Sequence, residues 1–407
     1  MSNRLVIVGA GMATAYLLQE LGRKAAGMEI VVLGEEADAC YNRVLLSNVL
    51  AGDTAETELQ MLEPGTMPAS VTFLSGTRAV SVDRTNRLVE ADCGRLISYD
   101  RLVFATGASV ARPPLAQTDV CGVEEFRTLT DARKLRSLVR ESARAVVVGG
   151  GLLGLEAAHG LTTLGFATTV VHRQTSLMNR QLDAEGAGQL QKDLESRGVR
   201  FRMDDSVIEL KTKAETLKGV VLSGGETLPC ELLLFATGIS PNTDVARAAG
   251  LTVDRGIVID PFMRTSAHNV FALGECSQLG EDCFGLVAPI REQAKVLARE
   301  LLGIATAGFS PAHCPTQLKI SGIEIFSAGH LDASGDQLLL RDANAGIYRR
   351  LILRDGRLVG AVLVGDKRGG SWYSELIASG ADISAYRSGL MFGRETSEAL
   401  PTTAEAA

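Results

Sequence analysis

No two of the seven cysteines in this 407-residue chain (Cys40, Cys93, Cys121, Cys230, Cys276, Cys283 and Cys314) are spaced as CxxC. The missing pairs and the odd count exclude a secreted disulfide framework. The five histidines (His159, His172, His268, His313 and His330) never stand at zinc spacing with those thiols. Reduced thiols, a cytoplasmic location and no structural metal are therefore expected. Basic excess is missing too: 41 Lys and Arg face 48 Asp and Glu, a net charge of -7. A nucleic-acid protein normally shows a basic stripe or patch, so nucleic acid is not an expected partner. A local basic docking site for an acidic protein is still compatible with that balance. Nor is there an apolar run of about 18 residues free of glycine and charge, so no membrane span is expected. Arg4 before an apolar run imitates a signal peptide, but the glycines of MSNRLVIVGAGMATAYLL fit a strand–turn–helix.

What is present is ordinary soluble material, 46% hydrophobic and 22% charged, long enough for two or three domains. Its organisation is a repeat. RLVIVGAGMATAYLLQELG (4–22) and RAVVVGGGLLGLEAAHGLTTLG (144–165) each join a β-branched run to a glycine turn and an Ala/Leu-rich helix. Each leads to a second apolar strand, EIVVLGEE (29–36) and ATTVVHRQ (167–174). Each unit is closed by a strand ending in Ala-Thr-Gly, at Gly107 and at Gly238. Two βαβ nucleotide folds in one chain are predicted. From about residue 313 the pattern changes to alternating strands with Asp355-Gly356 as a hairpin turn. A helix over 371–379 and another near 382–391 follow, and 395–407 reads as a disordered tail.

Gly9 and Gly11 permit a tight turn and let a pyrophosphate approach the helix N-terminus. Thr14 replaces the third glycine, which is expected to loosen helix–strand packing slightly. Glu35 or Glu36, after the next strand, supplies an acid for the ribose of an adenine nucleotide. The second motif, with Gly149, Gly151 and Gly154, is complete. After its second strand stand His172 and Arg173 in place of the acid. They offer either a 2′-phosphate site, pointing to NADPH, or an exposed strand end, so NADH and NADPH both stay open. Two folds mean two nucleotides: a resident flavin in the first and a visiting nicotinamide cofactor in the second.

The two glycine folds, both ATG strands and NVFALGEC resemble the FAD-dependent pyridine-nucleotide oxidoreductases, over nearly the whole chain. YNRVLLSNVLAG, GGGLLGLEAAHGL, LMNRQLD, LKISGIEIFSAG and LVGAVLVGDKRGGSWYSELIASGADIS are more specifically similar to the N-terminal flavin half of the assimilatory NAD(P)H nitrite reductase large subunit. That subunit continues into cysteine-cluster iron–sulfur and sirohaem domains, for which this chain lacks the cysteines. The resemblance implies a free-standing FAD-dependent NAD(P)H:acceptor oxidoreductase that passes electrons to a separate nitrate or nitrite reductase. A ferredoxin or rubredoxin is the alternative acceptor. A flavin-binding scaffold or redox sensor is the alternative of another class. A homodimer through the C-terminal strands is compatible with all of these.

The implied fold class is α/β. Two Rossmann-like three-layer dinucleotide-binding domains are joined to a C-terminal α+β domain. The expected limits are 1–112 with 241–312 for FAD, 113–240 for NAD(P) and 313–394 for the interface domain. The resemblance places the FAD pyrophosphate on Gly9, Gly11 and Met12 and its ribose on Glu35. Arg43, Asn48, Ala79 and Arg127 are implied as further contacts, with Glu275 and Val287 near the isoalloxazine and ribityl chain. The nicotinamide nucleotide is assigned to Gly149, Gly151, Leu152, Leu153, Gly154, Glu156, His172, Arg173, Arg180 and Gly238. Glu156 either positions the nicotinamide or is an exposed first-turn glutamate favoured by the helix dipole. Cys276 and Cys283 either form a redox disulfide or are inert core. By motif analogy the thiol of thiol-dependent relatives would fall at Val44, so Cys40 stands a turn too early. Arg349, Arg350, Arg354, Arg357, Lys367 and Arg368 make the C-terminal region basic, as a docking face or as solvated strands.

Overall fold

The structure is a computed structural model that describes residues 3–63, 70–111, 113, 115, 120–138, 143–311, 316–320, 322–331 and 334–399. Strand Arg4–Val8 carries four consecutive apolar side chains, all buried, as a parallel strand covered on both faces requires. It pairs in parallel with Glu29–Gly34 on one side and Arg101–Phe104 on the other. Val71–Ser75 and Val270–Ala272 complete a five-stranded parallel sheet. Its last strand thus comes from far along the chain. Helices Met12–Leu21 and Val287–Leu301 pack against each other in this unit.

The second unit repeats the plan. Arg144–Val148 lies between Ala167–His172 and Leu232–Phe235, with Arg200–Met203 and Val123–Glu125 at the edges, again all parallel. Each unit also carries a three-stranded antiparallel meander before its ATG strand. These run over Ala79–Asp83, Leu88–Ala91 and Leu96–Ser98 in the first. In the second they are Val207–Lys213, Thr216–Leu222 and Thr227–Pro229. The outgoing connection Ala108–Val110 and the returning one Ile239–Pro241 form an antiparallel pair. Both ATG turns therefore lie at one junction.

The C-terminal unit is a five-stranded antiparallel sheet, in the order Thr316–Ile320, Ile323–Gly329, Arg357–Val364, Ile347–Arg354, Asp336–Asp342. Asp355 and Gly356 have φ of 49° and 68°, the doubly left-handed turn of a tight hairpin. Helix Gly370–Ser379 covers the sheet, burying Trp372, Tyr373 and Leu376 against Phe326 and Leu351. The helix expected near 382–391 is instead two 3-10 turns, Ser384–Tyr386 and Leu390–Phe392. The Asp382 carboxylate accepts from the Ser384 N–H, and Gly389 and Gly393 flank the second turn, so no continuous α-ladder forms. The tail expected from 395 is corrected likewise. Arg394–Ala399 is a helix whose Ser397 hydroxyl donates to Gly393 O at 2.9 Å, while 400–407 lie outside the described residues.

This unit is tied to the second fold through Asp183. One carboxylate oxygen caps helix Ala184–Ser196 at the Gly186 N–H (2.9 Å). The other accepts from Tyr348 Oη at 2.6 Å and Arg350 Nη1 at 3.0 Å. An Arg341–Glu185 ion pair lies beside it. Among the described residues no helix is long and apolar enough to cross a membrane, and no cluster of metal-ligating side chains occurs.

Candidate functional site

The glycine turns show why their residues are glycine. Gly9 has φ of 113°, and a Cβ on it would lie 2.1 Å from Ala105 O. Gly149 has φ of 127°, with its Cβ 2.2 Å from Ala236 O. No other residue type fits either position. Gly11 and Gly151 are the N-caps of helices Met12–Leu21 and Leu152–Thr163, and neither has a side-chain cap. A Cβ on either would meet nothing within 4 Å, so open space faces the uncapped N–H groups. This is the cradle that an anionic pyrophosphate requires. Both cradles open on one cavity of about 2320 Å³.

The third motif positions differ. A Cβ on Gly154 would strike Gly149 O at 2.0 Å. Its counterpart Thr14 is fully buried and its hydroxyl donates to Gly9 O at 2.6 Å. The loosening expected from that threonine is thus replaced by a hydrogen bond across the turn.

Around the first cradle, Tyr41 Oη donates to Glu36 at 2.6 Å and receives the Leu129 N–H at 3.1 Å. Glu36 also pairs with Arg43. Glu35 is exposed on the cavity wall, which leaves it as the acid available to a ribose. Arg43 lies over the Tyr41 ring and donates to Arg127 O at 3.1 Å. Arg127 pairs with Glu275 and donates to Ala108 O at 3.2 Å. Four charged side chains from three distant segments thus line one wall. Met12, Asn48, Ala79 and Val287 line the same cavity, Val287 as the first residue of helix Val287–Leu301.

Around the second cradle, Leu152, Leu153, Glu156, His172, Arg173, Arg180 and Gly238 also face the cavity. Glu156 is not the exposed first-turn glutamate that was one of its two readings. It is buried beneath helix Leu46–Ala51, and burial pushes its carboxyl up to about 8, with a hydrogen bond to Ser47 opposing. Such a group is a neutral hydrogen-bond donor below that pH and an anion above it. His159, one turn further on, is half-buried and depressed below the ordinary histidine value by burial and by Arg197.

The thiols stand apart from this chemistry. Cys40 is buried, and burial pushes its thiol up to about 12. Val44, where a reactive thiol would fall, is exposed on the cavity wall. Cys276 is buried, raised by burial, and donates to Leu273 O at 3.4 Å. Cys276 and Cys283 are both free thiols, so the redox-disulfide reading is not what the structure contains. The basic C-terminal cluster is also mostly consumed internally. Arg349 and Arg368 hold Asp366, Arg350 holds Asp183 and Lys367 holds Glu324.

Sequence reasoning missed Tyr41, Ser47 and Arg291. Tyr41 and Ser47 belong to YNRVLLSN, a segment quoted for its likeness, where the flanking polar side chains carried the signal. Arg291, one turn inside helix Val287–Leu301, stacks on Tyr16 at the cavity edge and had no motif to mark it.

Residues 3–296 match the pyridine nucleotide-disulphide oxidoreductase family, and 315–381 match the rubredoxin NAD+ reductase C-terminal domain. The chain is 36% identical to a nitrite reductase [NAD(P)H] of Bacillus subtilis, covering 94% of this chain and 48% of that protein. It is 35% identical to the assimilatory nitrate reductase electron transfer subunit of the same species, over 94% and 50%. The chain thus spans about half the length of these relatives. Rubredoxin-NAD(+) reductase of Pseudomonas putida is 31% identical over 77% of this chain and 84% of its own length. In fold the chain is similar to the covalent putidaredoxin reductase–putidaredoxin complex, with a TM-score of 0.82 at 24% identity over 93% and 94% of the two chains. Two matching glycine cradles, one cavity and a covering C-terminal sheet agree with these likenesses: the chain belongs to the pyridine nucleotide-disulphide oxidoreductase family.

Proposed function

We propose that the chain is an FAD-dependent NAD(P)H:acceptor oxidoreductase serving a nitrate- or nitrite-reducing system. The observation that carries this reading is the opening of two uncapped glycine cradles on one cavity. One cradle suffices to bind a nucleotide; two on a shared cavity allow two nucleotide rings to meet. In this reading FAD, held in the first cradle, supplies the ring that accepts a hydride. Gly9, Gly11 and Met12 hold its pyrophosphate, Glu35 its ribose, and Asn48 and Ala79 line its path. Arg43 and Arg127 add cationic contacts, kept in place by Glu36 and Glu275. The N-terminus of helix Val287–Leu301 faces the flavin end. Gly149, Gly151, Leu152, Leu153 and Gly154 receive the nicotinamide nucleotide, with Gly238 beside them. Glu156 positions the nicotinamide through a carboxyl that donates while neutral.

The likeness to the Bacillus proteins favours a nitrogen-assimilation acceptor, in the cytoplasm and with a homodimer through the C-terminal sheet. A second reading, reduction of a rubredoxin or ferredoxin, is favoured by the match of 315–381 and by the full-length likeness to a rubredoxin reductase. Steady-state NAD(P)H oxidation with an artificial dye tests the common part. Bound FAD with negligible turnover would sink both readings and leave a nucleotide-binding scaffold. Reduction of purified rubredoxin, against electron delivery to a nitrite reductase, separates the two acceptors.

A further inference from the structure

The two nucleotide folds can be compared residue by residue through their own hydrogen bonds. Val8 pairs with Leu33 in the first sheet, and Val148 with Val171 in the second. The Gly9 N–H donates to Leu33 O at 2.8 Å, and the Gly149 N–H to Val171 O at 2.9 Å. Leu33 and Val171 are therefore equivalent, and the residues after them correspond in order: Gly34 with His172, Glu35 with Arg173.

The first of these pairs is a matter of packing. In the first fold Ala10 fills the turn, and a Cβ on Gly34 would lie 2.6 Å from its methyl group. In the second, Gly150 vacates that space and the His172 ring occupies it, 2.7 Å from where a Gly150 Cβ would be. The Gly150 N–H donates to His172 Nδ1 at 3.0 Å, which occupies that nitrogen as an acceptor. Burial lowers the His172 pKa below its ordinary value, the Ser176 backbone opposes this and Arg173 adds to it. His172 is a neutral part of the turn.

The second pair inverts a charge. Where the first fold places a carboxylate against an unmodified ribose, the second places a guanidinium. Arg173 is exposed on the cavity wall and forms no ion pair among the described residues. Arg180 joins it on the same wall. The loop between them is anchored by buried Leu177 and Met178, and the Met178 N–H donates to Gly150 O at 3.0 Å. The carboxylate lining this corner is Asp205. Its Oδ1 is tied to its own turn by the Ser206 N–H (2.8 Å), Ser223 Oγ (2.6 Å) and the Gly224 N–H (3.2 Å). Asp183, nearby in sequence, is occupied by its cap, Tyr348 and Arg350. A ribose diol finds no uncommitted acid here, whereas a phosphate on the 2′-oxygen meets two uncommitted guanidinium groups.

We propose that Arg173 and Arg180 form a 2′-phosphate site, which makes NADPH the preferred hydride donor over NADH. This rests on the reductase reading but can be tested apart from it. Calorimetric titration of the flavin-loaded chain with adenosine 2′,5′-bisphosphate and with adenosine 5′-diphosphate measures the phosphate site directly. The bisphosphate should bind at least about tenfold tighter, and Arg173→Ala with Arg180→Ala should erase the difference. In dye reduction Arg173→Glu, which copies the first fold, should turn the kcat/KM ratio from NADPH toward NADH. Equal affinity of the wild type for the two probes, or a preference that survives the double variant, overturns the proposal. Absence of turnover with either dinucleotide, with the binding preference intact, overturns the reductase reading and leaves the phosphate site standing.

Discussion

Glu156 concentrates the residue-scale consequences of the fold. Its carboxyl is raised to about 8 by burial, against the ordinary carboxyl value when unfolded. Between the ordinary value and about 8 the folded chain holds a proton that the unfolded chain has lost, so stability falls as pH rises through that window. At ~1.4 kcal/mol per pKa unit the total reaches a few kcal/mol. Glu156→Gln removes the titration. Relative to wild type it should gain thermal stability as pH goes from about 5 to 8, which parallel melting curves would measure. The kcat/KM for the nicotinamide nucleotide should also lose an ionisation near 8 in this variant; an unchanged profile would remove Glu156 from the nucleotide site. The thiols and arginines give the opposite pair of expectations. Cys40→Ser should leave dye reduction nearly intact, because a thiol raised to about 12 is not a thiolate at neutral pH. Arg43→Ala should weaken FAD retention by roughly tenfold, seen as flavin absorbance per protein after gel filtration, since it removes a cation and strands Glu36. Cys40→Ser abolishing turnover with FAD still bound would contradict the thiol-free account.

At the scale of elements, the two cradles are separable. Gly9→Ala places a Cβ 2.1 Å from a backbone carbonyl that cannot move without the sheet, and should yield protein without flavin. Gly149→Ala makes the equivalent clash at 2.2 Å in the other fold, and should keep flavin while losing nucleotide affinity by tenfold or more. Equilibrium binding on purified variants checks both, and loss of flavin from Gly149→Ala would contradict the assignment of folds to nucleotides. These elements were legible in the sequence because the strand–glycine–helix pattern is local. Which of Glu35 and Glu36 faces the ribose was not legible. Tyr41 captures Glu36, and that contact depends on how the chain returns after the strand. The burial of Glu156 was also hidden, because helix Leu46–Ala51, which covers it, lies about a hundred residues upstream. The stretch 382–391 failed as a helix for a local reason that composition obscured. An Asx turn at Asp382 and a glycine at each end of the second turn outweigh its apolar residues.

In the molecule as a whole, the C-terminal sheet depends on Asp183 for its place on the second fold. Asp183→Ala removes a helix cap and the acceptor for both Tyr348 and Arg350, which stay part-buried. A loss of roughly 2 to 4 kcal/mol and a melting point lower by a few degrees are expected. If the melting point is unchanged, this contact does not hold the unit. The sequence contained the repeat and the change of pattern at 313, but not this joint, because its members lie about 165 residues apart. The central claim is that the two nucleotides meet in one cavity, and anaerobic rapid mixing of the flavin-loaded chain with NADPH tests it most directly. The flavin's visible absorption band should bleach in a single turnover, and Gly149→Ala with flavin bound should bleach far more slowly at the same NADPH concentration. A wild type whose bound flavin keeps its colour, or a Gly149→Ala variant that bleaches as fast as wild type, would contradict the account.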